Sequence, residues 1–199
     1  MTVDYVRVYA PMILRVCCVN AVTNSGFESG GLANWTGGAG NALLENIHNV
    51  PVHDGTNVFK VYGQFSGLDN FSGIYQDIPA TAGQAFTASG WAITPSNDRI
   101  AGANTAWIEV DFRNASSNIT MYRSGMISNS TPAGAWLKLA VTNQFFSGSS
   151  TVIGGFTNLV APANTTFARY RLVFHQPATA GGALLVDDLK LSPAGPAQG

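Results

Sequence analysis

Short runs of alternating apolar and polar residues recur along the chain, with turns rich in glycine and asparagine between them. Alternation with a period of two is typical of strands that bury one face, and no stretch shows the periodicity of an amphipathic helix. The predicted strands are Val3–Tyr9, Asn41–Ile47, Asn57–Tyr62, Gly73–Ile78, Gln84–Ile93, Ala106–Arg113, Ile119–Met126, Trp136–Thr142, Phe167–His175 and Ala183–Leu191. Ser96–Gly102 is predicted to hold one short helical turn. The pattern predicts an all-β fold, a jelly-roll β-sandwich of two antiparallel sheets.

The surface of such a chain carries little charge. The net charge of the 199 residues is −1, and only 11% of them are charged. This composition argues against nucleic acid as a partner, because binding phosphates requires a basic surface. Gly, Ser, Thr and Asn take the place of charged residues, and a neutral polar surface suits an uncharged ligand such as a glycan. We expect a monomer.

Two further features bear on disulfides and membranes. Cys17 and Cys18 are adjacent, and neighbouring cysteines rarely pair because a disulfide holds its two Cα atoms about 5.5 Å apart. The apolar stretch Met12–Val22 is interrupted by Arg15 and is shorter than the roughly 20 residues of a membrane span. The sequence therefore predicts neither a disulfide framework nor a membrane segment.

Three predicted strands place aromatic and charged side chains opposite their apolar face. In Ala106–Arg113 alternation places a tryptophan and two carboxylates on the face opposite the apolar residues. The same alternation puts Trp91 of Gln84–Ile93, and Arg171 and His175 of Phe167–His175, opposite the apolar faces of their strands. If these strands are neighbours in one sheet, their polar faces form one concave surface that residues from Gly73–Ile78 join. Aromatic rings with hydrogen-bonding groups around them are the usual lining of a small-ligand site. The candidate ligand-binding residues are Trp91, Trp107, Glu109, Asp111, Arg171, His175, Gln76 and Tyr75.

Two alternatives to this surface remain open. Trp91 and Trp107 could instead be partly buried packing residues. The segment Tyr62–Phe71 (YGQFSGLDNF) is rich in aromatic and amide side chains, and it is a second candidate site at the edge of the sheets.

Four motifs occur in order along the chain: NSGFESGGLANW at Asn24–Trp35, DGTNVFKV at Asp54–Val61, IYQDIPATAG at Ile74–Gly83 and LVDDLKL at Leu185–Leu191. Their order and spacing resemble the carbohydrate-binding modules of families 4, 9, 16 and 22. The resemblance spans roughly residues 23–192 and implies a β-jelly roll that binds glucans, xylans or related polymers. We accordingly divide the chain into residues 1–22, the module at 23–192 and a linker tail at 193–199.

The same resemblance implies a structural Ca²⁺ that joins the first and last strands of the module. Carried onto this sequence, the ligands are Gly26, Glu28, Gly55 or Lys60 through a carbonyl, and Asp187, with Asp188 as a further candidate. Alternation in Leu185–Leu191 places Asp187 on one face with three leucines, where a carboxylate is costly unless it is paired or bound to metal. The alternative is that Glu28 caps a turn and Asp187 bonds backbone amides.

The first strand carries a separate resemblance. Thr2–Tyr9 (TVDYVRVY) resembles the last strand of family-16 glycoside hydrolases. This implies a secreted parent protein in which the module follows a laminarinase-like domain and targets it to substrate. The implied ligand is a β-glucan such as the β-1,3-glucan laminarin, with mixed-linkage glucan, xylan and algal galactan as alternatives.

One segment bears on catalysis. Trp107–Asn114 (WIEVDFRN) matches the first half of the Glu-x-Asp-x-(x)-Glu pattern of family-16 hydrolases, but the second Glu is replaced by Arg113 or Asn114. A retaining mechanism requires both carboxyl groups, so we expect no enzyme activity. Two alternatives remain: a small jelly-roll hydrolase or lyase that uses Glu109 or Asp111 with Glu45, and a structural spacer without glycan affinity.

Overall fold

The computed structural model describes residues 19–29, 31–37, 41–45, 51–145 and 151–194. Within these residues the secondary structure is entirely β. The strands are β1 Thr36–Gly37, β2 Asn41–Glu45, β3 Val58–Tyr62, β4 Asn70–Pro79, β5 Ala85–Ile93, β6 Thr105–Arg113, β7 Asn118–Ser124, β8 Ile127–Ser128, β9 Leu137–Phe145, β10 Val152–Ile153, β11 Leu159–Val160, β12 Phe167–Gln176 and β13 Ala183–Pro193.

The predicted all-β jelly-roll sandwich is confirmed. Every predicted strand within the described residues is present, with ends that differ by up to three residues, and Val3–Tyr9 lies outside them. The helical turn predicted at Ser96–Gly102 is wrong, because this segment forms non-helical turns. The described residues contain no helix long and apolar enough to cross a membrane.

The strands follow the order β1-β4-β12-β6-β7-β9-β5-β13-β3-β2, and each neighbouring pair is antiparallel. Strand β9 connects the two sheets, because its second half pairs with β7 and its first half pairs with β5. We call β1, β4, β12, β6 and β7 the front sheet, and β5, β13, β3 and β2 the back sheet. Their inner faces pack against each other, and their outer faces point in opposite directions.

The core between the sheets consists mainly of apolar side chains, and one buried hydroxyl bridges the two sheets. Ile108 and Phe112 from the front sheet and Phe86 from the back sheet are fully buried, and burying such a side chain contributes roughly 1.5–3 kcal/mol. Tyr170 of β12 is also fully buried, and its hydroxyl donates to the carbonyl oxygen of Ser89 at 2.8 Å. The hydrogen bond satisfies a polar group that would otherwise be costly in the core.

A β-bulge in β13 changes which side chains face the core. The register of β13 against β5 shifts between Asp187 and Lys190, and Asp188 has a φ of 48°. Alternation therefore fails across the bulge, and the prediction that Leu185, Asp187, Leu189 and Leu191 share one face is wrong. Leu189 and Leu191 lie in the core, whereas Leu185 packs with Val58 and Ile93 in a small cluster on the outer side of the back sheet.

Residues before the predicted module boundary at residue 23 pack on the last strand. Asn20 and Ala21 hydrogen-bond the backbone of β13 at Leu189 and Leu191, and Val22 is buried. The docked segment therefore begins no later than Asn20.

Candidate functional site

The outer face of the front sheet carries charged side chains in rows that cross the strands. Arg171 of β12 lies opposite Tyr75 of β4 on one side and Glu109 of β6 on the other, and Glu109 lies opposite Arg123 of β7. The next row, two residues along each strand, runs Asp77, Arg169, Asp111 and Met121. Because alternate residues of a strand share a face, both rows point to the same outer surface.

Glu109 is the centre of this surface. Its carboxylate is only 2% exposed and accepts hydrogen bonds from Arg123 Nε at 2.5 Å and from Trp107 Nε1 at 3.0 Å. Arg171 Nη1 lies 3.1 Å from its other oxygen. Ionised donors give the stronger class of hydrogen bond, so these contacts fix the position of the Glu109 side chain.

Asp111 shares Arg171 with Glu109 but is less well satisfied. It is fully buried, with Oδ2 3.4 Å from Arg171 Nη1 and no partner for Oδ1 among the described residues. Burial and the nearby charge of Glu109 raise the pKa of Asp111 to about 7, although Arg171 opposes the rise. Near neutral pH Asp111 therefore carries a proton for part of the time.

Arg123 is fixed between two rings. Its guanidinium carbon lies 4.7 Å from the ring centres of both Trp107 and Phe145. Trp107 is consequently only 4% exposed and offers no open ring face to a ligand. It lies on the predicted surface, but its contacts are with Arg123 and Glu109.

Two aromatic rings of β4 stand at the border of the charged rows. Phe71 is 45% exposed and stacks on His175 with ring centres 4.5 Å apart. His175 Nε2 lies 2.5 Å from Asp69 Oδ1, which fixes the plane of the stack. Tyr75 is half-buried beneath Arg169, whose guanidinium carbon lies 3.9 Å from the ring centre.

Gly73 opens a notch between these two rings. It is the residue of β4 that shares the outer face with Phe71 and Tyr75, and it contributes no side chain there. A Cβ at Gly73 would collide with the carbonyl oxygen of Leu172 on the neighbouring strand, and its φ is 155°. The notch has a volume of about 110 Å³ and reaches Arg171.

The row of Arg171 and Glu109 lines a second depression, which shares Phe71 and Arg171 with the notch. We call this depression and the notch together the groove. Its main part has a volume of about 240 Å³. It is lined by Phe71, Trp107, Glu109, Asn118, Met121, Arg123, Arg171 and Val173. Sequence reasoning placed Trp107, Glu109, Asp111, Arg171, His175 and Tyr75 on this face. It missed Arg123, and it assigned Phe71 to the edge loop Tyr62–Phe71. Alternation in β7 was the signal that could have found Arg123.

Trp91 does not belong to the groove. Its strand, β5, pairs with β9, β11 and β13 in the back sheet and not with β6 or β12. Trp91 therefore lies on the opposite outer face, where it stacks on His53 with ring centres 4.1 Å apart. The predicted concave surface required these strands to be neighbours in one sheet, and the strand of Trp91 does not meet that requirement.

Gln76 points away from the groove as well. It is buried, and its amide exchanges three hydrogen bonds with Thr23, at 2.7 to 3.2 Å. Gln76 faces inward because it alternates with the outward Tyr75 and Asp77 along β4. Its observed contacts hold the N-terminal segment against the front sheet.

The alternative site in Tyr62–Phe71 forms a separate hollow. Tyr62 and Phe65 lie beside Lys60 and Asp98 around a volume of about 260 Å³ at the edge of the back sheet. Phe65 is 48% exposed, and its backbone amide donates to Gln176 Oε1 at 2.7 Å. The loop is thus held in place from below while its rings stay accessible.

Three of the six predicted calcium ligands, Gly26, Asp187 and Asp188, meet at the bulge of β13. Asp187 Oδ1 and Asp188 Oδ1 lie 3.4 and 3.8 Å from the point that a Cβ of Gly26 would occupy. Burial raises the pKa of Asp187, and Asp188 adds to the rise, although backbone amides of Asp54, Asp188 and His53 oppose it. The carboxylate of Asp187 accepts hydrogen bonds from the backbone amides of His53, Asp54 and Asp188 at 2.8 to 3.1 Å, which is the alternative predicted for this residue. Carboxylate oxygens are also ligands that Ca²⁺ prefers.

Glu28 and Lys60 do not fit this set. The carboxylate of Glu28 accepts four hydrogen bonds, from the backbone and side chains of Thr56 and Asn57 at 2.7 to 2.8 Å. Burial would raise the pKa of Glu28, but these hydrogen bonds outweigh it and lower the pKa. A Cβ at Gly55, whose φ is 64°, would collide with this carboxylate.

Lys60 lies inside β3, between two paired strands, and its ammonium group is 3.0 Å from Asp98. Among the described residues, no group of three or more His, Cys, Asp and Glu side chains is arranged to hold a metal ion. Any Ca²⁺ at the bulge would therefore depend on Asp187, Asp188 and backbone oxygens.

Solved structures with the same fold share little sequence with this chain. The CBM22-1 xylan-binding domain of Paenibacillus barcinonensis Xyn10C aligns over 87% of this chain and 94% of its own, with a TM-score of 0.53 and 13% identity. A family 16 carbohydrate-binding module (module 2) aligns over 86% and 99%, with a TM-score of 0.52 and 13% identity.

The enzymatically active domain of tailspike protein 4 from bacteriophage CBA120 aligns over 87% of this chain, with a TM-score of 0.54 and 14% identity. The aligned part covers 21% of the tailspike domain. No protein-family model matches the sequence, and no curated protein matches it. At these identities the comparisons establish that the chain has the β-sandwich fold of these modules.

Proposed function

We propose that this chain is a non-catalytic carbohydrate-binding module that holds a polysaccharide in the groove of the front sheet. The observation that carries the proposal is the groove itself, in which exposed Phe71 borders a row of hydrogen-bonding groups centred on Arg171 and Glu109. A ring that stacks on the apolar face of a sugar, beside groups that bond its hydroxyls, is the chemistry that glycan binding requires. The fold shared with two carbohydrate-binding modules agrees with this proposal.

The groove is poorly suited to glycoside hydrolysis. Glu109 and Asp111 are at most 2% exposed and lie under Arg123 and Arg171. A retaining hydrolase needs two carboxyl groups that reach the glycosidic bond from either side. We therefore expect binding without cleavage.

For the polymer, the resemblance of Thr2–Tyr9 favours β-1,3-glucan, and laminarin is the first ligand to test. Thr2–Tyr9 lies outside the described residues, so the groove contributes nothing to this choice. Xylan and galactan are the next candidates. The same resemblance leads us to propose a secreted protein in which this module is joined to a glycoside hydrolase.

The experiment is a calorimetric titration of the protein with laminarin, mixed-linkage glucan, xylan and galactan, with reducing ends measured in the same samples. With one exposed stacking ring, worth roughly 1–3 kcal/mol, and several hydrogen bonds, we expect micromolar to high-micromolar dissociation constants. Saturable binding without new reducing ends supports the proposal. New reducing ends would favour the jelly-roll enzyme, and no binding to any polymer would favour the spacer.

We also propose that Ca²⁺ binds at the β13 bulge through Asp187 and Asp188, with Gly26 as a carbonyl ligand. The ion would neutralise two neighbouring carboxylates, one of them fully buried, and would tie the 24–29 turn to the last strand. Glu28 keeps its role as the cap of the Thr56–Asn57 turn. The effect of Ca²⁺ on thermal stability tests this proposal.

A further inference from the structure

The charges of the groove are layered, with carboxylates below and guanidinium groups above. Glu109 and Asp111 are 2% and 0% exposed, whereas the side chains of Arg171 and Arg123 are 35% and 22% exposed. A ligand that enters the groove therefore meets positive charge first.

The positive charge is only partly compensated. The guanidinium groups of Arg171 and Arg123 both contact Glu109, and only Arg171 also reaches Asp111. Burial and Glu109 raise the pKa of Asp111 to about 7, so near neutral pH Asp111 carries a negative charge for only part of the time. Arg169, in the next row, differs because Asp77 neutralises it through two parallel hydrogen bonds of 2.7 and 2.8 Å. The uncompensated guanidinium charge is thus concentrated in the row of Arg171.

Arg171 also has unused hydrogen-bond donors. Its contacts with Glu109 and Asp111 both use Nη1, and Nε and Nη2 have no hydrogen-bond partner among the described residues. This edge of the guanidinium group can donate two parallel hydrogen bonds to a carboxylate. Arg123 Nη2 faces only the thioether sulfur of Met121, at 3.2 Å, and a thioether is a weak acceptor.

From these contacts we infer that the groove contains a carboxylate subsite at Arg171, which selects polysaccharides that carry uronic acid residues over their neutral counterparts. The inference rests on the proposed function and deepens it. The sugar carboxylate pairs with the free edge of Arg171, while Phe71 stacks on a neighbouring sugar ring across the Gly73 notch. The carboxylates of Glu109 and Asp111, at the bottom of the groove, keep Arg171 in place, so it is oriented before the ligand arrives.

The test compares a glucuronic acid-substituted xylan with the same polymer after its carboxyl groups have been reduced to alcohols. Because the change is made in the ligand, the comparison does not depend on a variant that folds. We expect the uronate polymer to bind about tenfold more tightly. The ratio of the two affinities should decrease as the NaCl concentration rises from about 50 mM to about 500 mM, since salt screens charge.

Two variants locate the subsite. Arg171→Lys keeps the positive charge but loses the planar fork, and it should reduce the ratio of the two affinities from about tenfold to less than about threefold, whatever the affinity for the reduced polymer becomes. Arg169→Lys, in the row already paired with Asp77, is the matched control and should keep the preference.

Each other outcome overturns part of the account. Equal affinity for the two polymers would overturn the carboxylate subsite and leave the proposed function standing. Equally tight binding of a sulfated galactan would overturn selection of a carboxylate. If neither xylan nor any neutral polymer bound, both the subsite and the proposed function would be wrong.

Discussion

The guanidinium carbon of Arg123 lies 4.7 Å above the ring centre of Trp107, and it covers the face that a sugar would need. Trp107 in turn donates its ring N–H to Glu109. The tryptophan therefore supports the charged centre of the groove from below, and the exposed ring of Phe71 takes the position of a stacking surface.

Replacing Trp107 with Phe should affect stability more than binding. The substitution removes the donor to a buried carboxylate, and we expect the free energy of unfolding to fall by about 1–3 kcal/mol, with the glycan affinity changed by less than about threefold. Urea unfolding and calorimetric titration measure the two quantities. Phe71→Ala is the matched comparison and should lower affinity about tenfold with little change in stability. A Trp107→Phe variant of normal stability that binds no glycan would contradict the assignment of Trp107 to stability and of Phe71 to binding.

The stability of the protein should decrease as the pH rises from about 4 to about 7. The folded state raises the pKa of Asp111 from 3.8 to about 7, so in this window the native protein holds a proton that the unfolded chain has released. Stability falls with pH wherever the native state binds more protons. Asp111→Asn should flatten this part of the profile.

The measurement is the urea midpoint of both proteins at pH 4.5, 6 and 7.5. Burial also raises the pKa of Asp187, which gives a dependence of the same sign, but Asp187 is present in both proteins and does not affect their difference. Parallel profiles for the two proteins would contradict the assignment to Asp111.

Strand positions and the front-sheet face followed from alternation alone. The outward positions of Trp107, Glu109 and Arg171 were predictable because their strands are long and regular, and period two then decides the face. The bulge at Asp187 and Asp188 was not predictable from the pattern, since one extra residue reverses the alternation without changing the composition.

The errors in the candidate site have a common physical cause. Alternation states which residues of one strand share a face, but it does not state which strands are neighbours. Trp91 was therefore grouped with Trp107 although β5 belongs to the back sheet. The cover that Arg123 places over Trp107 is likewise a contact between strands, and it becomes visible only when β6 and β7 are aligned.

Gly73→Ala should be clearly destabilising. The added Cβ would collide with the carbonyl oxygen of Leu172, so strand β4 or β12 would have to shift, and we expect a loss of about 2 kcal/mol or more. Gly125→Ala is the control, because a Cβ there meets nothing within 4 Å; its effect should stay within about 1 kcal/mol. Equal stability of the two variants, measured by urea unfolding, would argue against the close approach of the two strands.

Calcium should raise the melting temperature of the protein, and a chelator should reverse the effect. An ion at the β13 bulge binds the native state and not the unfolded chain, so its effect grows with concentration. Asp188→Asn is a suitable variant, since asparagine tolerates the positive φ of 48° at this position. We expect it to lose most of the calcium response. The same calcium response in Asp188→Asn as in the original protein would exclude this position as a ligand.

Chemical-shift mapping by NMR during a polysaccharide titration locates the bound polysaccharide, because it reports on every surface of the protein at once. We expect the largest shifts at Phe71, Tyr75 and Arg171 on the front sheet. Shifts concentrated around Trp91 and His53 on the back sheet, or around Tyr62 and Phe65 at the edge hollow, would contradict the groove as the binding site.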